Sequence, residues 1–282
     1  MMRFLVAALI AFALPASAAE RIVVAGGDLT EIIFALGAGE RVVGVDLTST
    51  FPAETGDLPQ IGYVRKLSAE GVLSLRPDLV IAAHDAGPSI ALEQLAAAGV
   101  EIATAPPTPS AWDIAEKIQF VGDELGVASQ ARNVAAQFTA DLEEVLTKVD
   151  RLPERPRVLF ILSIRGGALL AAGRDTQAHE IVTLSGGENV AASFDGFKPM
   201  NREAVLAARP EVIVMMAQHA ERSGGIDTIL ARPELALTPA GQNGRAITMD
   251  GMLLLGFGPR TPQAIAELAA RLQPEAAEAA GL

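Results

Sequence analysis

The sequence contains no cysteine, so the protein cannot depend on disulfide bonds and offers no cysteine for a bacterial lipoprotein anchor. Aromatic residues are also scarce, with one Tyr, one Trp and ten Phe among 282 residues. Half of all residues are nevertheless apolar, so the core must consist mostly of Ala, Val, Leu and Ile. A chain of this length is expected to bury an ordinary core in one large domain or two smaller ones.

Positive charge is in short supply as well. The chain has 22 Lys and Arg against 34 Asp and Glu, a net charge of -12. This balance argues against a general binder of nucleic acids or anionic membranes, although it leaves room for a local cationic pocket. The sequence also lacks a phosphate-binding loop, a complete dinucleotide fingerprint and a Gly-x-Ser-x-Gly nucleophile motif. Without such a motif and without cysteine, nucleophilic hydrolysis has little support.

Residues 1–18 have the composition of a cleavable secretory signal. A cationic start at Arg3 precedes an apolar run from Phe4 to Leu14, and small residues follow at Ala16 and Ala18. No later segment reaches about 18 uninterrupted apolar residues, the length that a membrane span needs. We therefore expect a soluble, monomeric protein of the bacterial periplasm.

The rest of the chain alternates strand-like and helix-like stretches, beginning with "RIVVAGG", "LTEIIFALGAG" and "RVVGVD". This order predicts βαβ units and mainly parallel sheets. The segment "EGVLSLRPDLVI" (70–81) returns as "EAVLAARPEVIV" (203–214), and a looser echo links the segments that begin at Glu31 and Glu180. Two copies of one helix-to-strand unit predict two similar α/β lobes.

Residues 111–152 keep helical apolar spacing with an interruption near Gly126. We predict one long helix, or two nearly collinear helices, that joins an N-terminal lobe (19–110) to a C-terminal lobe (153–282). Because open α/β sheets bind ligands beyond the carboxyl ends of their strands, the ligand cleft is expected between the lobes. A stiff helical connection favours small movements of the lobes.

The single tyrosine, Tyr63, lies in "IGYVRKL" with Gly62 before it and Arg65 two residues after it. If this segment is extended, Arg65 projects to the same side as Tyr63. A guanidinium there favours phenolate over phenol, and a phenolate is a suitable ligand for ferric iron. The alternative is a tyrosine wedged at a domain edge with its hydroxyl hydrogen-bonded.

Three histidines offer a second chemistry. His84 and His219 each follow a predicted strand, and His179 precedes a predicted helix. Three histidines and an acidic residue could form a zinc or manganese site, but no paired spacing supports it. An exported metal-dependent hydrolase therefore stays as a remote alternative.

Two longer segments resemble a known family. "GYVRKLSAEGVLSLRPDLVIAAHDAGP" and "LTPAGQNGRAITMDGMLLLGFGPRTPQAI" are similar to segments of the periplasmic haem-binding proteins that serve haemin ABC importers. The resemblance extends over residues 21–265. It implies two α/β lobes joined by a long helix, haem as the transported ligand, an ABC permease as partner and no catalysis. The wider class includes carriers of vitamin B12 and ferric siderophores, so a cobalamin or ferric-siderophore carrier is the alternative.

The resemblance also implies roles for single residues. Tyr63 matches the ligand of the haem iron and Arg65 its accompanying arginine. Glu70 and Glu203, the matched acids of the repeat, would dock against permease arginines; the simpler explanation is that each favours its helix dipole.

For the second lobe the family pattern gives no firm match. His179, Arg222, Arg174 and His219 could each cap the haem or contact a propionate, and arginine suits a propionate because it can bind carboxylates bidentately. We rank Arg222 and His179 first.

Overall fold

A computed structural model describes residues 19–165 and 168–282, except for the side chain of Arg165. The predicted signal peptide, residues 1–18, lies outside the described residues. Among the helices described, none is both long enough and apolar enough to cross a bilayer.

The N-terminal lobe is built on a sheet of four parallel strands in the order β2-β1-β3-β4. Strands β1 and β3 are fully buried, as their continuous runs "IVVA" and "LVIA" predict for a parallel sheet covered on both faces. The elements are β1 (Ile22–Ala25), α1 (Gly27–Ala35), β2 (Val42–Val45), α2 (Ala69–Ser74), β3 (Leu79–Ala82), α3 (Ser89–Ala97) and β4 (Glu101–Thr104).

The connection between the lobes differs from the predicted collinear helices. It consists of α4 (Ile114–Glu124) and α5 (Ala128–Val149), which pack against each other. Gly122 approaches Ala131 so closely that a Cβ on the glycine would lie 2.1 Å from the alanine Cβ. The physical reason is Gly126: with φ of 71° it ends α4, and the N–H of Val127 bonds back to the carbonyl of Gly122. The chain therefore reverses, and only α5 is long.

The C-terminal lobe has a larger, mixed sheet. Strands β10, β9, β5 and β7 run parallel, whereas β6 and β8 are antiparallel additions. Only two residues separate β5 from β6, too few for the crossover that a parallel pair needs. The strands are β5 (Arg157–Arg165), β6 (Ala168–Ala172), β7 (Glu188–Asn189), β8 (Phe197–Met200), β9 (Val212–Met216) and β10 (Ala246–Met249).

Helices cover both faces of this sheet. They are α6 (Gln177–Leu184), α7 (Arg202–Ala208), α8 (Ala217–Arg222), α9 (Ile226–Leu230), α10 (Pro239–Gln242), α11 (Gly251–Leu255), α12 (Thr261–Leu272) and α13 (Pro274–Ala280). The predicted α/β class with two lobes is confirmed.

The internal repeat has the same structure in both lobes. Helices α2 and α7 begin at side-chain caps, Ser68 and Asn201, and each is followed by an arginine of the repeat, Arg76 after α2 and Arg209 after α7. Both arginines adopt left-handed backbone, with φ of 49° and 46°. The two copies therefore share backbone conformation as well as sequence.

The acid that follows Arg-Pro has a matched task in each copy. The carboxylate of Asp78 accepts the N–H of Arg21, and the carboxylate of Glu211 accepts the N–H of Arg157. Arg21 directly precedes β1, the first strand of the N-terminal lobe, and Arg157 is the first residue of β5, the first strand of the C-terminal lobe. The Arg-Pro-acid tripeptide thus ties each repeat helix to the neighbouring strand.

One apolar core extends through both lobes and the connecting helices. It includes Ile22 of β1, Ile118 of α4, Phe138 of α5, Val158 of β5 and Leu268 of α12. A shared core of this kind limits how far the lobes can separate without exposing apolar surface.

Candidate functional site

Two adjoining cavities lie between the lobes, where the strands of both sheets end. Their volumes are about 160 Å³ and 510 Å³. Their linings share five residues: Arg65, His84, Asp85, Thr108 and Gln177. Four of these belong to the N-terminal lobe and the last to α6 of the C-terminal lobe. The cleft therefore lies where the α/β architecture predicts it, and its size is suitable for a small molecule.

The segment that carries Tyr63 is a turn and not the extended stretch that the sequence suggested. Gly62 has φ of 93°, and its carbonyl accepts the N–H of Leu47. The N–H of Lys66 then bonds to the carbonyl of Tyr63 at 2.7 Å, which closes the turn. Arg65 lies within this turn, so its side chain reaches back to Tyr63 because the chain folds over, not because of strand alternation.

The guanidinium of Arg65 bridges two oxygen acceptors. Nη1 donates to the phenol oxygen of Tyr63, and Nη2 forms an ion pair with the carboxylate of Asp85. Burial lowers the pKa of Arg65, but Asp85 and Tyr63 together outweigh that effect and raise the pKa overall. The guanidinium of Arg65 therefore lies against the phenol oxygen of Tyr63.

Asp85 belongs to the site but was not predicted from the sequence. It lies in the loop after β3, and two backbone hydrogen bonds join that loop to the tyrosine turn. The N–H of Gly87 donates to the carbonyl of Val64 at 2.9 Å, and the N–H of Leu67 donates to the carbonyl of Gly87 at 2.8 Å. The available signal was an acidic residue next to His84 at the carboxyl end of a buried strand.

Tyr63 remains accessible despite these contacts. Its side chain is 37% exposed, and the two residues after it, Val64 and Arg65, line the cleft. Further apolar lining of the smaller cavity comes from both lobes: Ala83, Met252, Leu255 and Phe257. Tyr63 itself lines neither cavity; its phenol oxygen reaches the cleft through the contact with Arg65, which lines both.

The C-terminal lobe contributes His179 to the larger cavity, which His84 of the N-terminal lobe also lines. Thr176, the N-cap of α6, accepts the N–H of His179 at 3.1 Å and so sets the start of this helix. The ring Nδ1 of His179 lies 3.1 Å from the side-chain amide of Asn189.

The other C-terminal candidates lie elsewhere. Arg222 is exposed at the end of α8 and lines neither cavity, so its assignment stays a prediction. His219 likewise lines neither cavity, and its Nδ1 lies against the carbonyl of Leu162. Arg174 pairs with Asp195.

A resident metal site finds no support in the described part of the chain. There, no group of three or more His, Asp or Glu side chains is arranged to hold a metal ion.

Glu70 and Glu203 occupy equivalent places. Both are exposed in the first turn of their helices, α2 and α7, one position after the first helical residue. Each carboxylate is available to a partner while it also lies at the favourable end of its helix dipole.

The lobes also contact each other through a buried ion pair. Arg260, at the start of α12, donates two hydrogen bonds to the carboxylate of Glu31 on α1, and its guanidinium stacks 3.7 Å from the Phe51 ring centroid. Glu31 is 6% exposed. Burial raises the pKa of Glu31, and Arg260 only partly opposes this.

Two α/β lobes that face each other across a cleft and share one core define a ligand-binding protein of the two-lobed type. The chain belongs to the periplasmic binding protein family, whose sequence model matches residues 22–253. This is a family of binding proteins, in agreement with the expectation that the chain is not an enzyme.

Solved structures are similar over nearly the whole chain. The periplasmic heme-binding protein RhuT from Roseiflexus sp. RS-1, in apo form, is 43% identical with a TM-score of 0.88, covering 91% of this chain and 99% of that one. The periplasmic heme-binding protein BhuT in complex with two hemes is 39% identical with a TM-score of 0.86, covering 91% and 98%. The vitamin B12-binding protein of Yersinia pestis is 32% identical over 203 residues, 72% of this chain and 71% of the relative.

Proposed function

We propose that this protein binds ferric haem in the cleft between its lobes and delivers it to an ABC importer for haem and iron uptake. The observation that carries the proposal is the contact of the Tyr63 phenol with the guanidinium of Arg65 at the cleft. Phenolate oxygen is an established axial ligand of haem iron. Similarity to two heme-binding proteins over about nine tenths of the chain supports the same ligand.

Each residue of the site has a distinct task in this proposal. Tyr63 supplies the oxygen that binds iron, and Arg65 stabilises the negative charge of that oxygen by donating a hydrogen bond. Asp85 holds the guanidinium from its far side, so that the donor stays directed at the phenol. Apolar side chains from both lobes, such as Val64 and Leu255, pack against the porphyrin.

Delivery requires a partner that recognises the loaded protein. Glu70 and Glu203 present exposed carboxylates at equivalent positions of the two lobes. A permease with one cationic site for each carboxylate would dock in one orientation, because two separated charge pairs define a direction. Export to the periplasm through residues 1–18 places the protein where such a permease is reached.

A titration with haemin tests the proposal. The purified protein should develop the absorption of a tyrosinate-ligated ferric haem, and Tyr63→Phe should abolish that absorption and weaken binding by about 100-fold or more, because loss of an iron ligand exceeds the 10- to 100-fold cost of losing its supporting shell. Phe197→Leu is the matched control, since Phe197 is 38% exposed and lines neither cavity.

Cobalamin serves as the competing ligand because a vitamin B12-binding protein is among the relatives. Tight binding of cobalamin that is unaffected by Tyr63→Phe, with no haemin spectrum, would overturn the proposal.

A further inference from the structure

The side chain of His179 is held by Asn189, a residue that sequence reasoning did not single out. Asn189 lies in β7, is 5% exposed, and makes every one of its side-chain hydrogen bonds inside the C-terminal lobe. His179 is half-buried and lines the larger cavity of the cleft. A buried amide therefore supports a ring that faces the ligand space.

Two backbone partners fix the orientation of the Asn189 amide. Its Oδ1 accepts the N–H of Ala191 at 3.0 Å, and its Nδ2 donates to the carbonyl of Ala172 at 2.9 Å. A flipped amide would place oxygen against the carbonyl and NH₂ against the N–H, which would cost both hydrogen bonds in a buried place. The atom next to His179 is therefore the nitrogen.

The amide nitrogen has two protons, and the second is available to the Nδ1 of His179 at 3.1 Å. Nδ1 must then accept, so a neutral ring carries its proton on Nε2. Among the side chains that the structure describes, which exclude that of Arg165, Nε2 has no hydrogen-bond partner. The ring is thus fixed as a donor whose N–H is free for a ligand.

This tautomer is the opposite of the one found in metal-binding histidines. There, the nitrogen that does not bind metal donates its N–H to a carbonyl or carboxylate, and the other keeps its lone pair for the metal. Asn189 reverses that arrangement, because it donates to the ring and does not accept from it. His179 cannot offer a lone pair on Nε2 while this hydrogen bond is present.

Because its Nε2 carries a proton, His179 needs an acceptor atom on the ligand. Asp175 and Glu180 also line this wall, but ionised carboxylates only accept, and Glu180 already accepts from Ser110. His179 and Gln177 are the side-chain donors that α6 contributes to the lining. We propose that His179 does not bind iron and instead donates its Nε2–H to a carboxylate of the bound ligand, with Asn189 as the residue that sets this role; on the proposed function, that carboxylate is a haem propionate.

The first experiment needs no ligand. Two-bond ¹⁵N–¹H NMR correlation of the full-length mature protein at neutral pH should show the Nε2–H tautomer for the signal that disappears in His179→Gln. Asn189→Ala, which removes the amide donor, should allow a mixture of tautomers. An Nδ1–H pattern, or a mixture in the wild-type protein, would overturn the assignment.

The second experiment measures the carboxylate contact with metal-free protoporphyrin IX, haemin and their dimethyl esters. His179→Ala should weaken binding of both diacids about tenfold or more, the usual range for a hydrogen bond to a charged group, and leave the diesters unaffected. His179→Gln, which keeps a donor of similar reach, should restore most of the affinity. The tyrosinate absorption of bound haemin should persist in His179→Ala.

The outcomes separate this inference from the proposed function. If the protein binds protoporphyrin IX through His179 but haemin shows no tyrosinate absorption, the role of Tyr63 fails and the carboxylate contact stands. If wild-type protein binds diacid and diester equally, or if His179→Ala changes the iron spectrum as loss of a ligand would, the inference fails.

Discussion

The two lobes share an outer framework and differ where they face the cleft. Both carry the same helix-to-strand repeat, with a capped helix, an exposed glutamate and an arginine in left-handed backbone. On the cleft side, the N-terminal lobe presents the phenol, cation and carboxylate of Tyr63, Arg65 and Asp85, whereas the C-terminal lobe presents the ring of His179. Repetition therefore explains the scaffold, whereas the tyrosine turn, the loop after β3 and helix α6 supply the chemistry.

The larger sheet of the C-terminal lobe explains part of this difference. Its β7 and the antiparallel β6 supply Asn189 and the carbonyl of Ala172, which together fix the ring of His179. In the part of the chain that the structure describes, the four-stranded N-terminal sheet has no counterpart to these strands. There the site is held by hydrogen bonds between two loops, through Val64 and Gly87. One wall of the cleft is thus supported by strands and the other by turns.

The largest effect on stability is expected where the two lobes meet. Arg260→Ala leaves the carboxylate of Glu31 buried without its cation, which should lower the free energy of unfolding by about 3–5 kcal/mol at neutral pH. The pKa of Glu31 is already raised above 4.5 by burial, and loss of Arg260 should raise that pKa further. Urea unfolding of wild type and variant gives the difference.

The raised pKa of Glu31 determines how the stability loss of Arg260→Ala changes with pH. A group whose pKa is raised by folding contributes stability below its unfolded value, about 4.5 here, and that contribution is lost as pH rises through the folded value. The difference in free energy of unfolding between the wild-type protein and Arg260→Ala should therefore shrink as pH falls toward 4.5. The double variant Glu31→Gln/Arg260→Ala serves as control and should lack this component; a deficit that is constant with pH would contradict the explanation.

Much of the fold was predictable because its signals are local or repeated. The alternation of strands and helices, and the two copies of the Arg-Pro-acid unit, predicted two α/β lobes. Two features were not predictable in this way. The reversal at Gly126 depends on one positive φ, and periodicity alone continues through it. The antiparallel β6 and β8 break the βαβ order, and their apolar residues match either orientation.

The residues of the site also fall into those that the sequence could identify and those that it could not. Tyr63 and Arg65 could be singled out from the sequence because the tyrosine is unique and the arginine is close in the chain. Asp85 contacts Arg65, which lies 20 residues earlier in the chain, and Asn189 contacts His179, which lies 10 residues earlier. Only the folded loops and β7 create those contacts. The sequence alone could not choose among the second-lobe candidates either, since Arg222 and His179 both carry suitable donors.

The next prediction tests whether the repeated glutamates are equivalent. Glu70→Gln and Glu203→Gln should each reduce importer-dependent haem uptake by roughly tenfold, which corresponds to loss of about 1.4 kcal/mol of docking energy, and should leave haemin affinity unchanged. Glu93→Gln on α3 is the control, an exposed helical glutamate outside the repeat. Uptake in cells that express the cognate importer, beside a haemin titration, is the measurement. Wild-type uptake by the double variant would remove the docking role.

The smallest effect concerns the backbone of the repeat itself. Arg76 and Arg209 hold φ near 50° directly before a proline, a conformation that costs a residue with a Cβ about 1–2 kcal/mol and costs glycine little. Arg76→Gly and Arg209→Gly should each raise the free energy of unfolding by about 0.5–1 kcal/mol, because greater freedom of glycine in the unfolded chain offsets part of the relief. The alanine variants are the controls and should show no gain, since alanine keeps the Cβ. Urea unfolding gives the increase in free energy of unfolding for each glycine variant. Equal increases would mean that the backbone conformation costs the same in both lobes. An increase for only one variant would show that the side chain of the other arginine stabilises its lobe.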